Sequence, residues 1–327
     1  MGTAGAPKEV TMAERIVYLS WPAAEITGGI KLAFRHVEVL REAGLEAVVA
    51  TAEAEPPQWF ETDAPVIDLS HVERERDVLV FPENHAEMLR SFADWPNRKL
   101  VFCQNHFMAF RGLERKQDYA DFGVCGILCE GRQVADFCRR RFPSLPTALV
   151  PVFVDRELFH FQSQKRLQIA FAPRKRPLEA AFIQDLFRAE NPEFRSIPWV
   201  QISGVSEQKV ATILKDSAIY LSLSRFESVG LSALEAFACG CVVAGFTGFG
   251  AREYTTNNNG FWAAEDDCLE CADRLKQAAQ LVTGGGAMYR QMLESANISA
   301  SYYGRERFAK LIVEFWQGFL GGDGFPQ

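Results

Sequence analysis

The sequence predicts an α/β protein made of two doubly wound domains that face each other across a central cleft. The chain has 327 residues, about twice the length of a typical domain. Short β-rich runs alternate with amphipathic helical segments, which is typical of parallel sheets covered by helices. This alternation stops once, at "LVPVFVDRELFHFQSQKR" (149–166), and then restarts. We therefore predict an N-terminal domain over 15–155 and a C-terminal domain over 156–300.

Each element follows from a local pattern. In the first half we predict a helix over 28–44, ended by Gly44, and strands over 15–21, 45–51, 77–83, 99–105 and 124–130. In the second half we predict strands over 167–173, 199–204, 219–224 and 242–246, and helices over 177–190, 206–217, 229–240 and 269–282. A last helix over roughly 301–320 begins a segment, 301–327, that we expect to pack back on the N-terminal domain. Residues 1–14 are predicted to be a disordered leader.

The composition excludes several classes of protein. Hydrophobic residues make up 48 % and charged residues 24 %, as in a globular protein. A net charge of −7 argues against general nucleic-acid binding, although it allows a local basic patch. We find no apolar run of ~20 residues and no signal-peptide core near the start. The protein is therefore expected to be cytoplasmic, where thiols stay reduced.

The cysteines raise the question of a metal site. Cys268 and Cys271 form a C-x2-C pair, and Cys125 and Cys129 form a C-x3-C pair within an apolar run. Two such pairs can hold zinc. Buried free thiols account for the same residues, and we favour that interpretation. We predict no essential metal.

The stretch "SRFESVGLSALEAFACGC" (224–241) holds two glutamates, eight residues apart. Glu227 follows a predicted strand, and Gly230 opens the next helix, with Ser228 as its expected N-cap. Backbone N–H groups at a helix start favour an anionic ligand such as phosphate. The oxygens of Glu235, more than one turn into the helix, suit two adjacent ribose hydroxyls. The candidate donor-binding turn comprises Ser228, Val229, Gly230 and Leu231. The alternative is a capping motif beside a surface glutamate.

Other candidates also follow strands, where ligands of such sheets bind. "APRKRP" supplies Arg174, Lys175 and Arg176, which could neutralise a diphosphate; a solvated basic turn is the alternative. Gly28 and Gly29 lie between the first strand and helix, where a glycine pair allows close approach of a ligand. His106 follows the strand over 99–105 and could bind a sugar hydroxyl or polarise a reacting group, although a lone histidine is often structural.

Together these residues resemble a retaining glycosyltransferase of family 4, with the GT-B fold. Glu227 and Glu235 match the two ends of the family's Glu-x7-Glu motif. "VPVFVDRELF" (150–159) is similar to the interdomain stretch of the family, except that Val152 and Phe153 replace its Asn-Gly. "GFGAREYTTNNNGFW" (248–262) resembles the segment that follows the motif. The resemblance covers most of the second half, and the first half by topology only.

The resemblance implies a nucleotide-diphosphate sugar as co-substrate, with no further cofactor, held mainly by the second domain. Glu227 would bind the transferred sugar, Glu235 the ribose, and Arg174 with Lys175 or Arg176 the diphosphate. His106 and the Gly28–Gly29 turn would face the donor from the first domain. Val205 would touch the nucleobase. The acceptor, whether a glycan, a lipid-linked molecule or a small molecule, is not specified.

Other functions remain open at this stage. A GT-B protein that binds a nucleotide or glycan without turnover shares these motifs, as does a GT-B sugar epimerase. An NAD-dependent oxidoreductase should carry a Gly-x-Gly-x-x-Gly turn after a strand, which we do not find. "CRRRF" (138–142) with Lys31, Arg35 and His36 would suit a peripheral contact with an anionic inner membrane face. A solvated helix face explains the same charges.

Overall fold

The computed structural model describes residues 14–322 and Phe325. It contains two parallel α/β sheets, as the sequence predicted, and each sheet is covered by helices. The predicted leader lies outside the described residues except for Glu14, and most of the tail after residue 322 also lies outside them.

The first domain is built on a seven-stranded parallel sheet. Its strands are β1 (Arg15–Leu19), β2 (Ala47–Thr51), β3 (Val66–Asp68), β4 (Asp77–Pro82), β5 (Lys99–Cys103), β6 (Val124–Cys129) and β7 (Thr147–Leu149). Its helices are α1 (Gly28–Glu42), α2 (Ala86–Ser91) and α3 (Arg132–Arg141). The strand order is β3-β2-β1-β4-β5-β6-β7, so the direction of winding reverses between β1 and β4.

The second domain is built on a five-stranded parallel sheet. Its strands are β8 (Arg166–Phe171), β9 (Trp199–Gln201), β10 (Ser217–Leu223), β11 (Val242–Phe246) and β12 (Phe261–Ala263). Its helices are α4 (Pro177–Glu190), α5 (Glu207–Asp216), α6 (Leu231–Cys239) and α7 (Cys268–Gly284), followed by α8 (Gly286–Tyr302) and α9 (Arg305–Gly321). The order β12-β11-β10-β8-β9 reverses between β8 and β10.

The two reversals position the site. In an open parallel sheet, a crevice forms at the carboxyl ends of the strands where the winding direction changes. The loops that follow β1 and β4 in the first domain, and β8 and β10 in the second, lie at these points. The candidate residues Gly28, Arg174 and Glu227 are carried by three of these loops.

The end of the chain differs from the prediction. One helix was expected over 301–320, but the structure has two helices that meet at Tyr303 and Gly304. The first of them, α8, was not predicted because its apolar face is narrow: Ala296 and Ala300 are its buried residues. The very short strands β3, β7 and β12 also escaped prediction, because three residues carry almost no alternation pattern.

A continuous hydrophobic core joins the domains through the last helix. Trp316 of α9 is fully buried and donates a hydrogen bond of 3.4 Å from its indole to the Tyr18 hydroxyl of β1. Arg305, at the start of α9, forms an ion pair of 2.5 Å with Glu42 at the end of α1. Upstream, the backbone N–H of Val154 donates to the carbonyl of Tyr303 at 2.8 Å. The last helix therefore packs on the first domain.

The cysteines are free thiols, and among the described residues no cluster of metal-binding side chains forms. Cys125 and Cys129 do not share a face: Cys129 is buried, while Cys125 is exposed. A register irregularity between Lys99 and Leu100 of the neighbouring strand β5 breaks the alternation that would place two residues four apart on the same face. No helix in the described part of the chain is both long and apolar enough to cross a membrane.

Candidate active site

A cleft with a volume of about 900 Å³ lies between the domains. Its lining comes from both strand-reversal points. The first domain contributes Trp21, Glu25, Thr27, Gly28, Gly29, Glu83, Asn84, Gln104, Asn105, Phe107, Met108, Arg111 and Glu130. The second domain contributes Arg174, Lys175 and the continuous turn from Phe226 to Ser232. The cleft is large enough for a ligand of the size of a nucleotide sugar.

Two helices begin at this cleft. Helix α1 starts at Gly28, where Thr27 is the N-cap and accepts a hydrogen bond from the backbone N–H of Ile30. Helix α6 starts after Gly230, which has a φ of 80°. Neither helix carries an acidic residue in its first turn, although the Glu227 carboxylate lies close to Gly230 at the start of α6. Both starts therefore suit an anionic ligand.

The turn before α6 differs from the prediction in one respect. Ser228 was expected to cap the helix, but the cap is Gly230, whose left-handed conformation favours glycine. Ser228 is instead buried, and a Cβ atom at Gly250 would lie 1.9 Å from its carbonyl oxygen. The Tyr254 hydroxyl donates to the Gly230 carbonyl at 2.7 Å. The backbone of this turn is thus fixed from behind by the segment that follows β11.

The second-domain side of the cleft combines cations with one carboxylate. The Lys175 ammonium lies 2.8 Å from the Glu227 carboxylate, and both line the cleft. Arg174 is exposed and lines it as well; no hydrogen bond or ion pair engages its guanidinium within residues 14–322. Arg174 is therefore available to an anion, and Lys175 is held next to the first glutamate of the motif.

The position of Arg176 differs from the one predicted for the basic loop. Its side chain is completely buried, and its guanidinium contacts the carboxylates of Glu265, at 2.6 Å, and Asp266. It also lies 4.3 Å from the centroid of the Phe246 ring. Arg176 therefore joins β8 to the loop after β12 and does not face the cleft. Of the two residues considered for the second cation, Lys175 is the one that reaches it.

Glu235, the second glutamate of the motif, lies at the domain interface, outside the cleft lining. Its carboxylate is 3.6 Å from the ammonium of Lys31 on α1, which also pairs with Glu207 at 2.5 Å. Burial raises the pKa of Glu235, although Lys31 opposes the rise. The pKa of Lys31 is also raised, because the two carboxylates together outweigh its burial. The Lys31 ammonium of the first domain thus pairs with two carboxylates of the second domain.

His106 and Val205 do not line the cleft. The His106 ring is buried among the rings of Phe107, Phe137 and Phe249, and burial lowers its pKa. Its Nδ1 atom has no hydrogen-bond partner in the described part of the chain. The prediction that it faces the donor was wrong because the chain turns after Asn105, whose side chain instead donates to the Phe226 carbonyl at 2.9 Å. Val205 lies half-exposed in the loop after β9.

The predicted basic surface does not form as expected. His36 is fully buried and shares a hydrogen bond of 2.9 Å with the Tyr18 hydroxyl. Lys31 and Arg35 point into the domain interface, where both approach Glu207. Only Arg139 and Arg140 of this set are solvent-exposed. The second domain thus covers Lys31 and Arg35, while His36 packs against β1 within the first domain.

Two carboxyl groups that sequence reasoning missed lie on the first-domain side. Glu83 follows β4, Glu130 follows β6, and both are buried while lining the cleft. Burial raises the pKa of Glu83 to about 7 and that of Glu130 well above its ordinary value, with Glu83 and Glu227 as further causes for Glu130. Their positions at the carboxyl ends of the predicted strands over 77–83 and 124–130 were the signal that could have identified them.

Comparison with known proteins identifies the second domain. Residues 200–292 match the family model for glycosyl transferases group 1. An alpha-1,6-glucosyltransferase of Actinobacillus pleuropneumoniae serotype 7 (strain AP76) is 25 % identical over 276 residues, which cover 80 % of this chain and 82 % of the relative.

Solved structures agree on the fold. Sucrose-phosphate synthase from Thermosynechococcus elongatus superposes with a TM-score of 0.69 at 14 % identity, over 94 % of this chain and 100 % of that one. HepE from Anabaena, solved with UDP, superposes with a TM-score of 0.67 at 11 % identity, over 94 % and 100 % of the two chains. HepE has also been solved with UDP-glucose. Part of the second domain, residues 200–292, is therefore similar to glycosyl transferases group 1, and the chain adopts the GT-B fold.

Proposed function

We propose that the protein is a retaining glycosyltransferase of family 4 that moves a hexosyl group from a nucleotide-diphosphate sugar to an acceptor hydroxyl. The arrangement of Arg174 and the Lys175–Glu227 pair around the start of α6 carries the proposal. It brings together two cations, a helix start without acidic residues and one carboxylate. A diphosphate with a sugar attached needs these three features side by side.

In this proposal the second domain holds the donor. Arg174, Lys175 and the backbone N–H groups that follow Gly230 bind the diphosphate, and Glu227 binds hydroxyls of the transferred sugar. Their work is to hold the donor and to stabilise negative charge on the leaving diphosphate. Because cationic side chains and the helix start supply this stabilisation, we propose that no metal is required. Full activity after EDTA treatment would support this point, and restoration by added Mg²⁺ would contradict it.

The reaction forms one bond and breaks one. The acceptor oxygen bonds to the anomeric carbon on the face from which the diphosphate departs, so the configuration is retained. The electron pair of the broken C–O bond stays on the diphosphate, which takes up the proton of the acceptor hydroxyl. The anomeric configuration of the product, read by NMR, tests retention directly.

Glu235 is proposed to bind the ribose once Lys31 releases it. It lies one turn beyond Leu231 and Ser232, which line the cleft. Lys31 comes from the other domain, so a small opening of the interface would free the Glu235 carboxylate. Glu235→Ala should then weaken nucleotide binding by ~1–3 kcal/mol, the range expected for hydrogen bonds to a charged group. Equal affinity in both forms would remove Glu235 from the donor site.

The first experiment is a thermal-shift panel of UDP, GDP, ADP, dTDP and CMP without added metal. A ligand that binds the native state raises its apparent stability by ~2.7 kcal/mol at a hundredfold excess over Kd. UDP is the expected hit, because HepE was solved with UDP and UDP-glucose. Arg174→Ala should abolish most of the shift.

The panel has a matched control on the helix that follows this loop. Arg188→Ala removes an equal charge from α4 outside the cleft lining and should leave the shift intact. If no nucleotide stabilises the wild-type protein, the donor site does not exist as proposed. If UDP binds but UDP-sugars are never turned over with any acceptor, the protein is a GT-B nucleotide-binding protein. A new sugar isomer formed from donor alone would identify an epimerase.

A further inference from the structure

Glu130 is the polar group of the cleft that the proposed donor chemistry leaves unused. Its residue is only 8 % exposed, yet it lines the cleft directly after β6. Among residues 14–322 no hydrogen bond or ion pair engages its carboxyl group. The carboxyl oxygens of Glu130 are not among the fully buried unpartnered atoms of the described residues, so they reach the cleft, where a ligand can bind them.

The charges around Glu130 come from both domains. Glu83 lies on its own side, Glu253 and Glu227 face it from the second domain, and Lys175 is the cation within reach. Lys175 is already paired with Glu227 at 2.8 Å. Burial and the three neighbouring carboxyl groups therefore raise the pKa of Glu130 well above its ordinary value. The raised pKa favours the protonated form of Glu130, and a protonated carboxyl can both donate and accept a hydrogen bond.

The surroundings of Glu130 define a wall with a consistent chemistry. We use the term acceptor wall for Trp21, Glu83, Asn84, Gln104, Asn105 and Glu130, which all line the cleft. It contains carboxyl groups, side-chain amides and one indole. Four of its members also line a recess of about 80 Å³ on the first-domain side. The side chains are held in place: Trp21 donates to Asn84 at 2.9 Å, and Gln104 donates to the Gly29 carbonyl at 3.0 Å.

We propose that Glu130 binds the attacking hydroxyl of the acceptor, and that the acceptor wall selects an uncharged sugar over a phosphorylated one. This inference rests on the proposed transferase function and names its second substrate. Glu130 lies on the first-domain side, across from Glu227 and Lys175, so a hydroxyl bound there faces the proposed donor sugar. The proton of that hydroxyl still goes to the departing diphosphate, and Glu130 only holds the oxygen in place.

The preference for an uncharged sugar follows from the charges of the first-domain lining. Three carboxyl groups, of Glu25, Glu83 and Glu130, line this side. Arg111 is the one cation among the first-domain residues that line it within the described chain, and it is exposed at the rim beside Phe107 and Met108. A phosphate placed near Glu130 would meet carboxyl groups without a compensating cation, which disfavours an anionic acceptor. Sugar hydroxyls match carboxyl and amide groups, and the Trp21 ring offers an apolar face.

The test uses UDP release from UDP-glucose with methyl α-D-glucopyranoside, maltose and cellobiose as neutral acceptors and glucose 6-phosphate as the anionic one. We expect a neutral glycoside to accelerate UDP release more than the phosphorylated sugar. Glu130→Ala should raise the KM for that glycoside about tenfold, the effect of one lost hydrogen bond to a buried group, and leave the Kd of UDP within about twofold. Glu130→Gln, which keeps a donor and an acceptor, should stay within about threefold of wild type.

The controls separate this inference from the donor site. Glu87→Ala removes an exposed carboxylate from α2 in the same domain, outside the cleft lining, and should change neither parameter. An unchanged KM in Glu130→Ala, or equal loss in the Ala and Gln variants, would overturn the role of Glu130. Faster turnover with glucose 6-phosphate, or no stimulation by any neutral glycoside while UDP still binds, would overturn the acceptor class. Failure of UDP to bind would instead remove the transferase proposal on which the inference rests.

Discussion

The two sides of the cleft differ in the partners that they provide for their carboxyl groups. On the second-domain side, the donor wall of Arg174, Lys175, Glu227 and Gly230, the carboxylate has an ammonium 2.8 Å away. On the first-domain side, Glu130 has no such partner among the described residues, and Glu83 accepts a hydrogen bond of 3.2 Å from the Gln104 backbone. One wall pairs its carboxylate with a cation, while burial raises the pKa of both carboxyl groups of the other, Glu83 and Glu130.

This difference indicates which kind of substrate each wall is suited to bind. A wall with a free guanidinium, a paired ammonium and a helix start matches a diphosphate, whose charge it offsets. A wall of amide groups and of carboxyl groups with raised pKa matches hydroxyls and disfavours a charge that lacks a partner. The asymmetry thus assigns the donor and the acceptor to opposite sides of one cleft. Four substitutions in three experiments probe it, from the largest expected effect to the smallest.

Glu227→Ala should lower the transferase activity strongly but leave nucleotide binding by the donor wall largely intact. If Glu227 holds the transferred sugar in the transition state, its loss should lower kcat by about 10²–10³-fold, as for a removed transition-state hydrogen bond. The Kd of UDP should change little, because the diphosphate contacts remain. Single-turnover rates with UDP-glucose and calorimetric UDP binding give the two values.

The control for Glu227 is Glu193→Ala, which removes an exposed carboxylate elsewhere in the second domain. If Glu227→Ala turns over as fast as the wild type, Glu227 does not belong to the site. The comparison of the two walls would then lose the carboxylate of the donor wall.

Gly250→Ala and Gly29→Ala compare how rigidly the two walls are built. A Cβ at Gly250 would meet the Ser228 backbone carbonyl at 1.9 Å, whereas a Cβ at Gly29 would meet the Gln104 side-chain oxygen at 2.0 Å. A side-chain end can move, but the backbone of the turn before α6 cannot move without distorting the donor wall. We expect Gly250→Ala to lower the free energy of unfolding by about 3 kcal/mol, and Gly29→Ala by less than about 1 kcal/mol.

Urea denaturation of both glycine variants measures this difference. Similar losses in the two proteins would show that the donor wall is no more rigid than the acceptor wall.

Glu83→Gln should stabilise the protein, with a pH dependence that reports on the acceptor wall. The folded pKa of Glu83 is about 7, above its ordinary value of 4.5. Between these values the unfolded chain binds fewer protons than the folded one, so wild-type stability falls as pH rises through this window. Glutamine does not ionise, so the variant does not lose this stability as pH rises. The variant should therefore exceed wild type by about 2 kcal/mol at pH 8 and match it at pH 4.

Thermal or urea unfolding across pH 4–8 measures the effect of Glu83→Gln. The exposed Glu87→Gln should show no such dependence. A stability difference that does not change with pH would mean that Glu83 is ionised in the folded protein, and that the two walls are more alike than the structure indicates.

The sequence by itself determined the fold and the donor wall. Alternation of strands and helices predicted two doubly wound domains, and the helix over 177–190 has the predicted bounds because Pro177 starts it and its apolar spacing is regular. Arg174, Lys175, Glu227 and Gly230 were found because they directly follow strands, and backbone topology brings such positions to one edge of a sheet. Local pattern suffices for features that depend on chain direction alone.

Only the tertiary structure decided where neighbouring side chains point. Arg174 faces the cleft and Arg176 is buried against Glu265, although only Lys175 separates them in sequence. The His106 ring packs within an aromatic cluster, and the Glu235 carboxylate pairs with Lys31 from the other domain. The acceptor wall also emerged here, because Glu83 and Glu130 are distant in sequence. Burial and pairing depend on which distant elements pack together, and that information is absent from any local stretch of the chain.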